Sequence, residues 1–465
     1  MSIILKNSIV NTLKTKLHTN QFMAKFNINQ FPKIFQNTNI SLPFSEISCD
    51  TRKLKEGQLY FALEGLKVDG HDFIEDAKKK GAIGAVVSKE SKFTDKNFAL
   101  IKVDNVLLAL QQMTHTILQR RKTKIIAVTG SVGKTTSKEF LQTILSSKYK
   151  VSATIENYNS KVGLPITVIN HTNDDDEWIV LEMGMTHKGD IEQLIKIAPP
   201  HIAMLTAIDY SHFVNFNSLN DIAAAKCEIF DSQNLVLSIL AKDTLQHDAV
   251  IKSKKFPSFT YSIDDSTADY YLELQSKTMV LHTPDKQTYS FSLPSILGKH
   301  SFKNLCGALA IAINLGLNIN EIQLAVNQLK LPDRRLQTII KNDITFIVDC
   351  YNAPPVSVKS ALDSIPQTKG KKIAVLSEMR ELGTISKEWH EKIAKYALNK
   401  VDTVICIGEE MKIFKDIWHE ANRKVFHCAT KEEVIHFIKN IIEERDIVLV
   451  KGARFFELET ILDHF

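Results

Sequence analysis

Glycine and proline are scarce, 17 and 12 in 465 residues. No Ser/Gly/Pro-rich run interrupts the chain, which excludes long flexible tethers and predicts tight junctions between domains. The six cysteines (Cys49, Cys227, Cys306, Cys350, Cys406, Cys428) are scattered, with no Cys-x-x-Cys pair. That spacing excludes a disulfide framework and a zinc site, and fits a reducing compartment. No apolar run approaches the roughly 18 residues that cross a bilayer, so no membrane insertion is expected. Neither charge sign dominates: the net charge is +5, and lysines interleave with glutamates on helical patterns. Such faces are solvated ones, and no nucleic-acid partner is expected. Residues 1–45 alone are one-sided, with Lys6, Lys14, Lys16, Lys25 and Lys33 and no acid. A transit peptide shares that bias but is arginine-rich, and arginine is absent here. The stretch reads as a helical start, with the place of residues 1–22 in the mature protein left open.

What is present is a phosphate cradle. The β-branched run Ile125–Thr129 breaks into Gly130-Ser131-Val132-Gly133-Lys134-Thr135-Thr136, and an amphipathic pattern follows from Ser137 to Leu145. Amides freed by the two glycines and the positive end of a helix converge on anionic oxygens. Lys134 adds a point charge, and the Thr135 hydroxyl can ligate Mg²⁺. A nucleoside triphosphate is the expected ligand. Val128 stands where the full phosphate-loop pattern has its first glycine, so the loop is a compact variant. Gly-Lys-Thr after a strand also arises by chance, but here both the strand and the helix are written around it.

Around this motif the pattern predicts an α/β chain of three domains, at roughly 150 residues each. A small N-terminal α/β domain, residues 1–102, has strands at 58–64, 82–88 and 98–103 and a helix at 70–80. A central phosphate-loop domain, 103–315, opens with a helix at 106–121 and alternates helices with strands at 178–183, 202–206 and 235–240, which implies a mostly parallel sheet. Short alternating strands between 258 and 293 read as an antiparallel flap, and helices at 302–315 and 319–329 close it. A C-terminal Rossmann-like, doubly wound domain, 316–465, has strands at 344–349, 372–377, 403–408 and 446–450. Ligands bind beyond the carboxyl ends of such strands, where Asp349-Cys-Tyr-Asn, Ser377-Glu-Met-Arg-Glu and Lys451-Gly-Ala-Arg lie. Asn399-Lys-Val-Asp402 matches a guanine-reading motif but precedes its strand, so it is set aside.

Three further residues carry candidate chemistry. Glu182 ends a strand where a carboxylate reaches a metal held by Thr135 and the triphosphate. His212 follows the next strand; a lone histidine is more often a surface or core group, and only its topological place beside Glu182 singles it out. Lys226 sits on an alanine-rich helix, where the plain reading is a snorkelling lysine.

Read together, Gly130–Thr136, Asn157-Tyr-Asn-Ser-Lys-Val-Gly-Leu-Pro165, Glu182-Met-Gly with His187, Ala225-Lys-Cys-Glu-Ile-Phe230, Gly298–Asn304, Arg335-Leu-Gln and Lys451-Gly-Ala-Arg resemble the ATP-dependent Mur ligases of peptidoglycan synthesis. The order spans nearly the whole chain. Asp50-Thr-Arg52, Asp69-Gly-His71, Asp349-Cys-Tyr-Asn-Ala353 and Met379-Arg-Glu-Leu-Gly383 with Ser386 and His390 are similar to the branch that joins D-alanyl-D-alanine to UDP-N-acetylmuramoyl-tripeptide. Sister ligases carry Ala-His at Tyr351-Asn352. The resemblance implies ATP and Mg²⁺, with Lys134 and the loop amides on the phosphates and Thr135 and Glu182 on one Mg²⁺. It further implies His212 and a carbamoylated Lys226 on a second, and Asn304, Arg335, Asp349 and Tyr351 at the nucleotide. Thr51 and Arg52 would hold the uridine end, and Asn157, Asn159 and Asn352 the substrates. A monomer in a bacterial cytoplasm is implied as well.

Three departures stand out: Ala353-Pro354-Pro355 replaces Ala-Asn-Pro, Ser377-Glu378-Met379 replaces Gly-Asp-Met, and Ala453 replaces the serine of Lys-Gly-Ser. They bear on dipeptide affinity more than on ATP binding. The alternatives are a ligase of the same family adding one amino acid or glutamate, a phosphate-loop ATPase or switch without ligase activity, and an inactive descendant. Tyr351-Asn352 opposes the first, and the retained Lys134, Glu182 and Lys226 oppose the last.

Overall fold

The structure, a computed structural model, describes residues 25–35, 40–89, 91–95, 97–253, 257–294 and 298–465. The helical start expected before residue 23 lies outside them. Two compact units emerge: the chain through Lys122 together with Lys161–Thr172, and Thr123–Ser160 together with Asn173–Phe465.

The first unit is built on a parallel sheet in the order Ile47–Ser48, Leu59–Phe61, Gly84–Ser88, Ala99–Val103. The segment expected as one helix from 70 is a 3₁₀ turn, Gly70–Phe73, capped by Asp69, followed by a helix at Ile74–Lys79. The helix Val106–Arg120 starts where Asn105 Oδ1 accepts the Leu108 N–H, 2.8 Å. It packs on the helix Gly163–His171 and on Gly84–Ser88. It therefore groups with the first unit rather than, as expected, with the phosphate-loop domain. Its buried stripe of Val106, Leu110, Met113 and Ile117 is what decides its packing.

The second unit holds two sheets. Lys124–Thr129 lies inside a nine-stranded sheet, between Trp178–Glu182 and Ile202–Leu205, and parallel to both. From it the chain runs outward to Val151–Ala153 and back to Trp178–Glu182 before crossing to the other side, so the phosphate loop sits at a topological switch point. The strands expected as an antiparallel flap continue this sheet. Ser258–Ser262 and Tyr270–Leu274 pair parallel, and only Thr278–His282 and Thr288–Ser292 turn antiparallel at its edge. Their alternating burial reflects one covered face, which the sequence pattern alone does not distinguish from a separate layer.

The six-stranded sheet runs Gln337–Lys341, Ile344–Asp349, Ile447–Lys451, Lys372–Ser377, Thr403–Ile407, Lys424–Cys428, parallel except for the first strand. Two separate apolar clusters cover its two faces, the signature of a doubly wound domain. The first and last strands were not anticipated, because exposed edge strands lack a continuous apolar run. All six cysteines are free. Among the described residues, no helix is long and apolar enough to cross a membrane.

His390 shows how this domain shapes its ligand end. It is fully buried, its Nδ1 lies 2.8 Å from Ser386 O, and its Nε2 accepts the Met379 N–H at 3.0 Å. Those bonds require the neutral ring, and burial holds its pKa below the ordinary 6.5. The unfolded chain takes up the proton first, so this contribution is complete above pH 6.5 and is lost as pH falls below it. Denaturant titrations should show stability declining from pH 7 to 5.5, with a shallower decline in His390→Gln.

Candidate active site

The phosphate loop owes its shape to two left-handed glycines, Gly130 at φ 151° and Gly133 at φ 87°. Gly133 is the N-cap of the helix Lys134–Leu145 and offers no side chain to cap it. The first-turn amides are thus left for an anion. A Cβ at Gly133 would collide with Asn304 Oδ1, which brings the predicted Asn304 directly over the loop. Gly133→Ala should weaken ATP binding about tenfold or more, from the ~1–2 kcal/mol left-handed penalty and the clash. Calorimetry with a non-hydrolysable analogue measures this.

Behind the loop, Thr135 Oγ1 donates to Glu182 Oε2 at 2.8 Å, and Asn159 Nδ2 donates to Glu182 Oε1 at 2.7 Å. Glu182 is buried and sits in register with Val128, so strand pairing fixes its position. Lys134 Nζ donates to Gly130 O at 2.8 Å. Desolvation lowers the Lys134 pKa, Glu182 raises it, and the Arg335 charge lowers it again. From the segments flanking the strands Gln337–Lys341 and Ile344–Asp349, the Arg335 guanidinium stacks 4.0 Å over the Tyr351 ring, and the Tyr351 hydroxyl meets the Asn157 side chain. The phosphate loop, Glu182, Asn157, Asn159, Asn304, Arg335 and Tyr351 thus gather at one place, although they come from two sheets.

Lys226 lies in the last turn of the helix Leu219–Cys227, 2% exposed. Burial, and then the charge of Lys134, hold its amine well below the usual lysine range. The snorkelling reading therefore fails, because the amine does not reach water.

Other expected residues are engaged elsewhere. His212, in a left-handed conformation at φ 56°, turns toward Glu381 of the C-terminal domain, with Nδ1 2.6 Å from Glu381 Oε2. The imidazole beside it lowers the Glu381 pKa, against desolvation by burial. His212 was singled out for its topological place beside Glu182; in the structure its ring faces Glu381. Asp349 is paired with buried Lys451 at 2.6 Å, and Lys451 also donates to Asn352 O and Ser357 Oγ, each at 2.7 Å. Asn352 Oδ1 accepts the Ala353 N–H at 2.8 Å. In the first unit, Arg52 grips Asp50 through Nε and Nη2 at 2.9 and 2.7 Å, and Thr51 is buried, its carbonyl accepting from Lys80.

Glu64, Asp69 and His71 cluster in that unit like metal ligands. However, His71 Nε2 accepts the Ser88 N–H at 2.9 Å and Nδ1 faces Asp69 at 2.7 Å, so neither ring nitrogen is open to a metal. Sequence reasoning missed the Asp349–Lys451 pair and the His212–Glu381 contact. Their signal was the crowding of opposite charges at the carboxyl ends of strands.

Three family descriptions match in order: the Mur ligase family catalytic domain at residues 43–129, the Mur ligase middle domain at 128–312, and the Mur ligase glutamate ligase domain at 334–454. The UDP-N-acetylmuramoyl-tripeptide–D-alanyl-D-alanine ligase of Bacillus subtilis is 33% identical over 90% of this chain and 92% of its own. A crystal structure of MurF from Acinetobacter baumannii superposes with a TM-score of 0.82, at 26% identity over 94% of this chain and 98% of that one. MurF ligase from Thermotoga maritima in complex with ADP gives 0.76, at 25% identity over 90% and 96%. The chain belongs to the Mur ligase family.

Proposed function

We propose that this chain is an ATP-dependent ligase that joins D-alanyl-D-alanine to UDP-N-acetylmuramoyl-tripeptide in peptidoglycan precursor synthesis. The observation that carries the reading is the uncapped phosphate loop whose Thr135 shares Glu182 with Asn159, facing Arg335 and Tyr351 of the second sheet. Full-length similarity to relatives named for this reaction supports it. A switch that merely hydrolyses nucleotide has no need for a second sheet bearing polar groups toward its phosphate loop.

In the proposed mechanism the terminal carboxylate of the tripeptide attacks the γ-phosphate in line, giving an acyl phosphate and ADP. The amine of D-alanyl-D-alanine then attacks the activated carbonyl, and phosphate leaves. Lys134 and the loop amides hold the β- and γ-phosphates, and Arg335, oriented by Tyr351, offers charge to the transferring group; positioning and neutralisation supply most of the catalysis. Asn304 and Asp349 are assigned to the nucleotide, Asn157, Asn159 and Asn352 to the acceptor peptides, and Thr51 and Arg52 to the uridine end. Thr135 and Glu182 are an all-oxygen pair 2.8 Å apart, a donor set that suits Mg²⁺. When bound there, Mg²⁺ offsets the repulsion between carboxylate and triphosphate. Lys226, as a carbamate, and His212, once its ring leaves Glu381, would complete a second oxygen and nitrogen set. A monomer acting in a bacterial cytoplasm fits the reduced cysteines and the nucleotide-linked substrate.

The test is phosphate release from ATP and Mg²⁺ with muramoyl tripeptide, with dipeptide, and with both. Release that needs both, with one amide per phosphate, is the expected result. Release indifferent to the acceptors would establish a plain ATPase.

A further inference from the structure

The segment Thr206–Val214 is fastened at both ends to different domains. At its start, Thr206 N donates to Thr129 O at 2.9 Å and Thr206 Oγ1 to Val132 O at 2.5 Å. Ser131 N donates to Ala207 O at 2.8 Å, while Ser131 Oγ donates to Asp209 O at 2.8 Å and accepts the Asp209 N–H at 2.9 Å. Three residues of the phosphate loop and its strand are thereby tied to it. At its far end, the Tyr210 ring packs on Trp389 at 5.1 Å and on Phe213 at 5.2 Å. Val214 N donates to Glu381 O at 2.9 Å, and His212 meets the Glu381 carboxylate. Gly383 admits the strap closely, since a Cβ there would lie 3.3 Å from Val214 Cα.

Two features set this segment apart from an ordinary packed loop. His212 and Glu381, which face each other, both hold left-handed backbones, at φ 56° and 64°, a conformation that costs a non-glycine residue and needs its surroundings to hold it. Asp209 Oδ2 and Ser211 Oγ are buried without a hydrogen-bond partner. Within the segment Ser211 N donates to Asp209 O at 2.8 Å, but strain and orphaned polar atoms together mark an arrangement held chiefly from its two ends.

We propose that Thr206–Val214 is a strap that registers the C-terminal domain against the phosphate loop, with Tyr210 as its positioning residue. This rests on the ligase reading above. Amide formation needs the polar loops of the second sheet at a fixed distance from the transferring phosphate, and it needs water kept from the acyl phosphate. Tyr210 touches Trp389 of the helix Ser386–Ala397, whose His390 holds the loop bearing Glu381. The ring contact therefore fixes the very loop that the strap's other bonds reach.

The test compares the parent with Tyr210→Ala, Trp389→Leu and the double variant. Tyr210→Ala should lower kcat for amide formation about tenfold while ATP affinity stays within about twofold, and phosphate should be released in excess over amide as acyl phosphate is lost to water. Because both single changes cut one link, the double variant should be no worse than either. Full stoichiometry with kcat within about twofold of the parent would overturn the proposal, and so would a parallel loss of ATP affinity. A second readout needs no acceptor. Trp389 is one of three tryptophans, and the part of the nucleotide-dependent emission change that is missing from Trp389→Leu reports on it. A non-hydrolysable ATP analogue should produce that part in the parent and not in a folded Tyr210→Ala. An equal change in both would again sink the strap. If the parent forms no amide at all, the ligase reading fails, and the emission comparison still decides the strap.

Discussion

Lys226→Met should abolish amide formation, by on the order of 10³ in kcat or more, while leaving the protein at least as resistant to heat as the parent. Lys226 is 2% exposed, burial and then the Lys134 charge hold its amine well below the usual lysine range, and no carboxylate among the described residues pairs with it. Such a group is a net cost to folding, which an apolar side chain of similar length relieves. A residue that weakens the fold is explained by use. A neutral amine, unlike an ammonium, can attack CO₂, lose its proton and become an N-carboxylate. That exchanges a cation beside Lys134 for an anion, with oxygen donors of the kind Mg²⁺ prefers. Intact-protein mass measured at neutral pH should show one added CO₂, absent from Lys226→Met. In Lys226→Ala, which leaves room, a short carboxylate such as formate should restore part of the activity. Rescue by chloride as readily as by formate would instead make Lys226 a purely electrostatic group. A fall in melting temperature together with activity in Lys226→Met would make it structural.

Buried elements were legible because parallel strands covered on both faces read as unbroken apolar runs: Ile344–Asp349 and Lys372–Ser377 run over the expected residues. The edge strands Gln337–Lys341 and Lys424–Cys428 were not, since half-exposed strands leave no such run. The helix Val106–Arg120 was expected at nearly its actual limits, but periodicity reports only that a stripe is buried, not against what. At the site, Thr135, Glu182 and Lys134 were legible because strand pairing brings the ends of neighbouring strands together. The contacts between the two sheets were not, because nothing local encodes how two domains meet. His212 and Asp349 are the instructive pair. Asp349 does end its strand, whereas His212 lies seven residues beyond Leu205; Glu381 and Lys451 claim their side chains, and both partners come from distant stretches of chain.

Lys134→Ala should reduce amide formation by on the order of 10³, and, unlike the strap variants, should weaken ATP binding at the same time. The reason lies in what the ammonium does before nucleotide arrives. Lys134 Nζ is held by Gly130 O at 2.8 Å, inside the loop whose amides await the phosphates. Its charge is disfavoured there by desolvation and by Arg335, and favoured by Glu182. An incoming triphosphate supplies the missing countercharge. The interaction is therefore strong in the ground state, and it strengthens as charge builds on the oxygens between the β- and γ-phosphorus during transfer. Lys134→Arg should not rescue, because the longer planar guanidinium cannot reach Gly130 O within this turn without displacing the loop. The readouts separate cleanly. Calorimetry with ADP and with a non-hydrolysable ATP analogue should show the larger loss for the triphosphate, since Lys134 serves the γ-phosphate as well. Equal losses for both would confine Lys134 to the β-phosphate and pass the role of stabilising the transferring group to Arg335.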